Sequence, residues 1–186
     1  AGDFNFWSPT SEYAMKKDST SEKFWLELYD LEPGEIYTYQ YWVSDLSPID
    51  ESPSLVKTAD PFSTMVLSPF DDPWIPETSY PNLPEYPYDF GIEREVTVLK
   101  TGQEQYNWQV DNFDKPQEED LIIYEVLIRD FDSERTFQNL IDKIDYFKDL
   151  NINAIELMPV MEYEGNESWG YNTAFHMSVD KFYGPE

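Results

Sequence analysis

Leu121-Ile122-Ile123-Tyr124-Glu125-Val126-Leu127-Ile128 is a nearly unbroken apolar run of strand length. Such a run suits a parallel strand covered on both faces. The period then changes. Phe137, Leu140, Ile141, Ile144, Phe147 and Leu150 recur at helical spacing as one apolar stripe, while Asp142, Lys143, Asp145 and Lys148 take the opposite side. Ser133 is the candidate N-cap. Asn153-Ala154-Ile155-Glu156-Leu157-Met158 reads as a second short buried strand, stopped by Pro159. Strand, helix, strand in this order is a right-handed βαβ unit, so an α/β domain opens at residue 121.

Residues 1–75 follow another pattern, with turn residues between short aromatic or β-branched runs, which predicts an all-β sandwich of the immunoglobulin-like kind. Phe24-Trp25-Leu26-Glu27-Leu28 is one strand. Glu35-Ile36-Tyr37-Thr38-Tyr39-Gln40-Tyr41-Trp42-Val43 is a second, with Ile36, Thr38, Gln40 and Trp42 on one face. Glu32-Pro33-Gly34, in the order a type II turn prefers, would join them as a hairpin, with Trp25 and Trp42 in the core. Nine of the 14 prolines then fall between Pro48 and Pro87. Proline removes a ladder donor and restricts the residue before it, so residues 69–87 should be extended and irregular, with Tyr80, Tyr86 and Tyr88 laid against a surface. The expected division is a sandwich over 1–75, a Pro/Tyr-rich connection over 76–120 and an α/β part over 121–186.

Composition removes several functions. With 12 Lys+Arg against 38 Asp+Glu the net charge is −26, which disfavours nucleic acid and anionic lipid as partners. The absence of cysteine excludes disulfide scaffolds and thiolate metal sites, and fits cytoplasm and envelope alike. A hydrophobic fraction of 40%, with 17% aromatic residues, is enough for a core. No apolar run approaches the roughly 20 residues that span a bilayer. Ala1 opens within what reads as a strand and turn, so sequence is expected to precede it.

Three stretches together resemble the α-amylase family of glycoside hydrolases, in the multidomain branch with an N-terminal glycogen-binding-type β-sandwich. Gly2-Asp3-Phe4-Asn5-Phe6-Trp7, Leu31-Glu32-Pro33-Gly34 and Ala59-Asp60-Pro61-Phe62 are similar to the sandwich module of branching enzymes, isoamylases and type I pullulanases. Ile123-Tyr124-Glu125-Val126-Leu127-Ile128-Arg129-Asp130-Phe131 resembles the first strand of the family's catalytic barrel, and Ile155-Glu156-Leu157-Met158-Pro159-Val160 the second. Trp169-Gly170-Tyr171-Asn172, running on to Tyr183-Gly184, resembles the loop after that second strand. The resemblance implies an immunoglobulin-like sandwich followed by the first βαβ unit of a (β/α)8 TIM barrel. The barrel is incomplete here, since 66 residues follow residue 120 and such a barrel needs about 250.

The chemistry that the resemblance implies is retaining cleavage of α-glucosidic bonds, which needs two carboxylates about 5–5.5 Å apart. In the family these come from later barrel strands, so no catalytic acid is expected in this chain and the chain alone should hydrolyse nothing. One wall of the active site remains. Tyr171 matches the tyrosine that stacks on the sugar ring being cleaved, a task that suits a flat apolar face with a polar edge, and Trp169 and Asn172 stand beside it as substrate-binding candidates. Trp7 matches a sugar-stacking tryptophan of glucan-binding modules, but Gln40 stands where binders carry lysine, so a scaffolding sandwich is the expectation. The implied parent is an α-amylase acting on starch or glycogen. The alternatives are a branching or debranching enzyme and, in another class, a non-catalytic glucan-binding module.

Other chemistry-bearing residues receive plainer readings. His176 follows the tyrosine by five residues, where the family's histidine precedes it, and is expected to be a satisfied structural side chain. Glu125 and Glu156 lie inside strands and should bond to neighbouring strands. Glu162, Glu164, the Glu118-Glu119-Asp120 cluster and Asp130, Asp132 and Glu134 are expected to be solvated, and none has a calcium-loop pattern. No metal or cofactor is expected from these residues. The partner is an α-glucan polysaccharide or oligosaccharide, and further chain or self-association is expected to cover the apolar strand faces.

Overall fold

The computed structural model describes residues 1–47, 49–110 and 112–185; Pro48 of the proline cluster, Asp111 and Glu186 lie outside them. The chain consists mostly of small sheets with few helices. It divides into two compact units, one of residues 1–69 and 85–104 and one of residues 70–84 and 105–186. The expected connection over 76–120 is therefore shared between the units, and it carries a strand.

In the first unit, β1 (Lys16–Lys17) pairs with β2 (Phe24–Trp25). β3 (Ile36–Tyr39), β4 (Tyr41–Ser44), β5 (Leu55–Thr58), β6 (Val66–Leu67) and β7 (Val96–Lys100) follow. β7 lies between β3 and β6 in an antiparallel sheet, and β4 pairs with β5. The single strand expected over 35–43 is split at Gln40, whose side chain is 1% exposed and donates to the carbonyls of Arg94 (3.2 Å) and Glu95 (2.9 Å). Satisfying that buried amide commits the backbone on either side to different sheets. The expected hairpin is corrected with it: β2 partners β1, and β3 partners β7. The turn itself forms, with Glu35 N donating to Glu32 O at 3.2 Å and Gly34 at φ +87°. It leads to the end of β7, where Gly34 N reaches Thr101 O at 2.8 Å. Trp25 is 47% exposed, and Trp42 lies half-buried beside the Lys57 ammonium, so neither is core.

Val66, Leu67 and Val96 are fully buried in this unit, with Thr38 and Thr97 among them. Asp60 ties the strands together. One of its carboxylate oxygens accepts from Tyr39 (3.1 Å) and Tyr41 (2.8 Å), the other from Phe62 N (2.9 Å), while Asp60 N donates to Thr97 Oγ1 at 2.7 Å. Burial pushes both phenols up, so both stay donors.

The second unit holds β8 (Ile123–Val126), α1 (Ile128–Phe131), α2 (Phe137–Asp142), α3 (Ile144–Asp149), β9 (Ala154–Leu157), β10 (Met161–Tyr163) and β11 (Thr173–Val179). β8 and β9 are parallel, in register from Ile123↔Ala154 to Val126↔Leu157. The helical stripe is interrupted at Lys143. Leu140 and Phe147 are buried, whereas Ile141, Ile144 and Leu150 remain exposed. Thr136 caps α2, accepting from Asn139 N at 3.1 Å. Ser133 does not, because Arg135 at φ +57° separates it from the helix.

Val126, Ile128, Leu140, Phe147, Tyr163 and Tyr183 form the core, with Tyr124, Phe131, Phe137, Ile152 and Val160 packed on it. Tyr124 and Phe131 each bring their rings to 5.2 Å from that of Phe147. Ile122, Ile123, Ile155 and Leu157 are 49, 53, 36 and 38% exposed, so the coverage expected on both faces of these strands is not found. Two strands with helices packed on one side leave the other side open.

The Asp60 hub generates an expectation. Asp60→Ala removes the acceptor for two phenols and should cost about 3 kcal/mol, read as a lower urea midpoint. Asp60→Asn keeps an acceptor and should cost about 1 kcal/mol. Equal, negligible effects would contradict this role.

Candidate functional site

The loop between β10 and β11 carries Trp169, Tyr171 and Asn172. Its course is set from two sides. Gly170 has φ +88°, and a Cβ there would collide with the carbonyl of Pro159, so the close approach to the end of the β9 segment admits only glycine. Ser168 Oγ accepts from Gly170 N at 2.9 Å and hydrogen-bonds Asn172 Oδ1, and Thr173 Oγ1 donates to Gly170 O at 3.2 Å. From the other side, Arg129 Nη1 donates to Ser168 O at 3.0 Å, while Nε and Nη2 grip the Asp130 carboxylate at 2.8 and 3.0 Å. Glu167 joins the same network, 2.8 Å from Arg135 and 3.6 Å from Arg129. On this tied backbone Trp169 is 63% and Tyr171 70% exposed, and Asn172 is exposed as well. Flat aromatic faces open to solvent on a held loop are suited to stacking on pyranose rings.

The structure brings these three candidates onto one loop and treats the others differently. Trp7 is 5% exposed, with its indole N–H on Asp3 Oδ1 at 2.8 Å, so it has no free face for a sugar. Phe6 and Trp7 both adopt positive φ, which turns Trp7 inward and leaves Phe6 78% exposed. The strand and turn read near Ala1 are a single antiparallel bridge of Gly2 to Tyr39 followed by a 3₁₀ turn over Asp3–Asn5. His176 is exposed on β11, not enclosed. Glu125 and Glu156 stand opposite each other in register and are exposed. Glu164 is exposed, as are Glu118, Glu119 and Asp120. Among the described residues no group of three or more His, Asp and Glu could hold a metal ion. Arg129 received no role from the sequence, although a lone cation at the end of an apolar strand in so acidic a chain was the available signal.

Glu162 corrects the expectation of a solvated side chain, being 4% exposed and paired with Lys181, itself 3% exposed. Lys181 also lies 3.3 Å from Asp72. Asp180 accepts from Phe182 N at 2.9 Å and Tyr163 N at 3.4 Å. One ammonium thus pairs with two carboxylates, Glu162 and Asp72, and lies in the field of a third, Asp180. Burial alone would lower the Lys181 pKa, but Glu162 and Asp72 overrule it and hold the ammonium charged. The uncompensated negative charge falls on the acids. Burial pushes Glu162 from 4.5 to about 7 against the pull of Lys181, and Asp180 from 3.8 to about 6 against its hydrogen bond from Phe182.

Because both carboxyls bind protons more tightly in the folded state, folding takes up protons between the ordinary and the raised values. Stability should fall as pH rises from about 4 to about 7. Glu162→Gln should flatten that slope in thermal midpoints measured across the window, and Lys181→Met, which strands the acids, should cost about 3–5 kcal/mol at pH 7. An unchanged slope in Glu162→Gln would contradict the assignment.

The fold has counterparts among known proteins, although no protein-family model matches the chain. A malto-oligosyltrehalose trehalohydrolase of Saccharolobus solfataricus is 40% identical over 79 residues, covering 42% of this chain and 14% of the relative. Chloroplastic isoamylase 1 of Arabidopsis thaliana is 34% identical over 95 residues, covering 47% of this chain and 12% of the relative. A solved structure of a candidate α-amylase from Salmonella typhimurium has a TM-score of 0.60 at 20% identity, covering 91% of this chain and 23% of that one. The catalytic module of the glycogen-degrading pneumococcal virulence factor SpuA has a TM-score of 0.52 at 23% identity, covering 79% of this chain and 22% of the module. The chain thus spans 14% or less of the two sequence relatives' length. In sequence and in fold the chain is thus similar to α-amylase-family glycoside hydrolases.

Proposed function

We propose that the protein to which this chain belongs cleaves α-glucosidic bonds of an α-glucan, and that the loop between β10 and β11 forms part of its sugar-binding wall. Residues 1–69 and 85–104 are then the immunoglobulin-like sandwich, and β8 to β9 the first βαβ unit of a TIM barrel. The observation that carries the reading is Tyr171, 70% exposed on a loop tied down at Gly170 and Ser168. Its ring stacks on the sugar being cleaved, with Trp169 and Asn172 alongside. The acids that cleave the bond lie on other strands of the barrel, so this chain alone is inactive.

Within that class the first reading is α-amylase action on internal α-1,4 bonds of starch or glycogen, for which the Salmonella fold counterpart is support. The second is hydrolysis of malto-oligosyltrehalose or a debranching reaction, favoured by the trehalohydrolase and isoamylase relatives. A non-catalytic glucan-binding role for the sandwich loses its main support with the burial of Trp7.

Reducing-end release by the full-length protein from amylose, amylopectin, pullulan and malto-oligosyltrehalose separates these readings. Amylose cleavage supports the first, and pullulan or malto-oligosyltrehalose cleavage without amylose cleavage supports the second. Tyr171→Ala should lower kcat/KM about 10- to 100-fold, equivalent to about 1.4–2.7 kcal/mol of transition-state binding. No turnover of any of the four substrates, or an unaffected Tyr171→Ala, would overturn the proposal.

A further inference from the structure

Arg129 sits in α1, immediately past the end of β8, yet its guanidinium reaches 39 residues along the chain to the backbone of the sugar-facing loop. Three features separate it from an ordinary surface cation. Its side chain is 13% exposed, whereas the Glu167 it approaches is 65% exposed. Both edges of its planar fork are occupied at once: Nε and Nη2 hold Asp130, and Nη1 holds Ser168 O. Its loop partner is a backbone carbonyl one residue before Trp169 and three before Tyr171, so the contact acts on the path of the chain.

We infer that Arg129 is a positioning residue, which clamps the loop carrying Tyr171 to the end of β8 and so sets where the tyrosine ring meets the sugar. This inference rests on the proposed role of Tyr171. The clamp is one of a pair. Gly170, lying on the Pro159 carbonyl, holds the loop against the segment that follows β9, and Arg129 holds it against β8, the parallel neighbour of β9. Two adjacent strands thereby fix one loop from two sides. Asp130 has a defined part, since it occupies the Nε edge and leaves Nη1 pointing along one direction. Glu167, shared with Arg135, adds charge complementarity near the solvent, where it is worth little. Lysine cannot reproduce the arrangement, because a single ammonium has no rigid fork with which to meet a carboxylate and a carbonyl on separate edges.

The test is a double-mutant cycle in the full-length protein with maltoheptaose, alongside a readout that needs no turnover. Arg129→Ala should reduce kcat/KM on the order of 10²-fold, the scale set by a misplacement of about 1 Å, and Arg129→Lys should recover little of it. In a Tyr171→Ala background the same Arg129→Ala change should cost less than about threefold, because the ring it positions is gone. Full additivity of the two changes would overturn the inference, as would Arg129→Lys with wild-type kcat/KM. The second readout is the ¹⁹F resonance of 3-fluorotyrosine at position 171, assigned by its loss in Tyr171→Phe. It should shift or broaden in Arg129→Ala and Arg129→Lys, and should be unmoved in the exposed-pair variant Lys148→Ala. An Arg129 variant with an unchanged resonance contradicts the clamp whether or not the protein turns over glucan. If no glucan is cleaved but the resonance moves, the clamp stands and the reading of the substrate fails.

Discussion

Everything in the second unit depends on how the parallel pair β8 and β9 is covered. A two-stranded sheet has too little buried surface to stand alone. Here one side is packed by the helices between the strands, with Phe147 meeting Tyr124 and Phe131 at 5.2 Å and Leu140, Val126 and Ile128 completing the contact. Once that face is filled, the C-terminal ends of the two strands are adjacent and fixed. Those ends are where barrel enzymes build their sites, and Arg129 and Pro159 lie just beyond them.

The loop bearing Tyr171 takes its geometry from those ends and from the hairpin that carries it. Gly170 meets Pro159 and Ser168 meets Arg129, while below the loop the β10–β11 hairpin is closed by Tyr163, Tyr183 and the buried Glu162–Lys181–Asp72 cluster. The cluster is polar where a core would normally be apolar. Such an arrangement favours one register of the hairpin, because any slip would strand a buried charge. Exposure of Trp169 and Tyr171 is tolerated on this frame.

The legible parts of the sequence were those with strong local period. The run at 121–128 and the Ala154–Leu157 segment were readable as paired strands, and the stripe from Phe137 to Leu150 as helical. The Pro33-Gly34 turn was readable for the same reason, since its dihedrals are local. What could not be read was partner choice. Nothing near Gln40 indicates that its amide will be taken by carbonyls more than 50 residues away, yet that contact splits a strand and breaks the expected hairpin. Glu162 looked solvated because its compensating Lys181 lies 19 residues on, and the inward turn of Trp7 depends on two residues of positive φ that are invisible to pattern. The candidate loop was proposed from the ordered resemblance of its Trp-Gly-Tyr-Asn stretch, while the contacts that hold it, from Arg129 and Ser168, were visible only in three dimensions.

The most direct measurement of the central claim is a crystal structure of the full-length protein with a bound malto-oligosaccharide, its catalytic acids substituted to prevent turnover. The account predicts a glucose ring stacked face to face on Tyr171, with the Ser168 carbonyl still held by Arg129. An oligosaccharide bound in the barrel with Tyr171 pointing away from every sugar ring would contradict it.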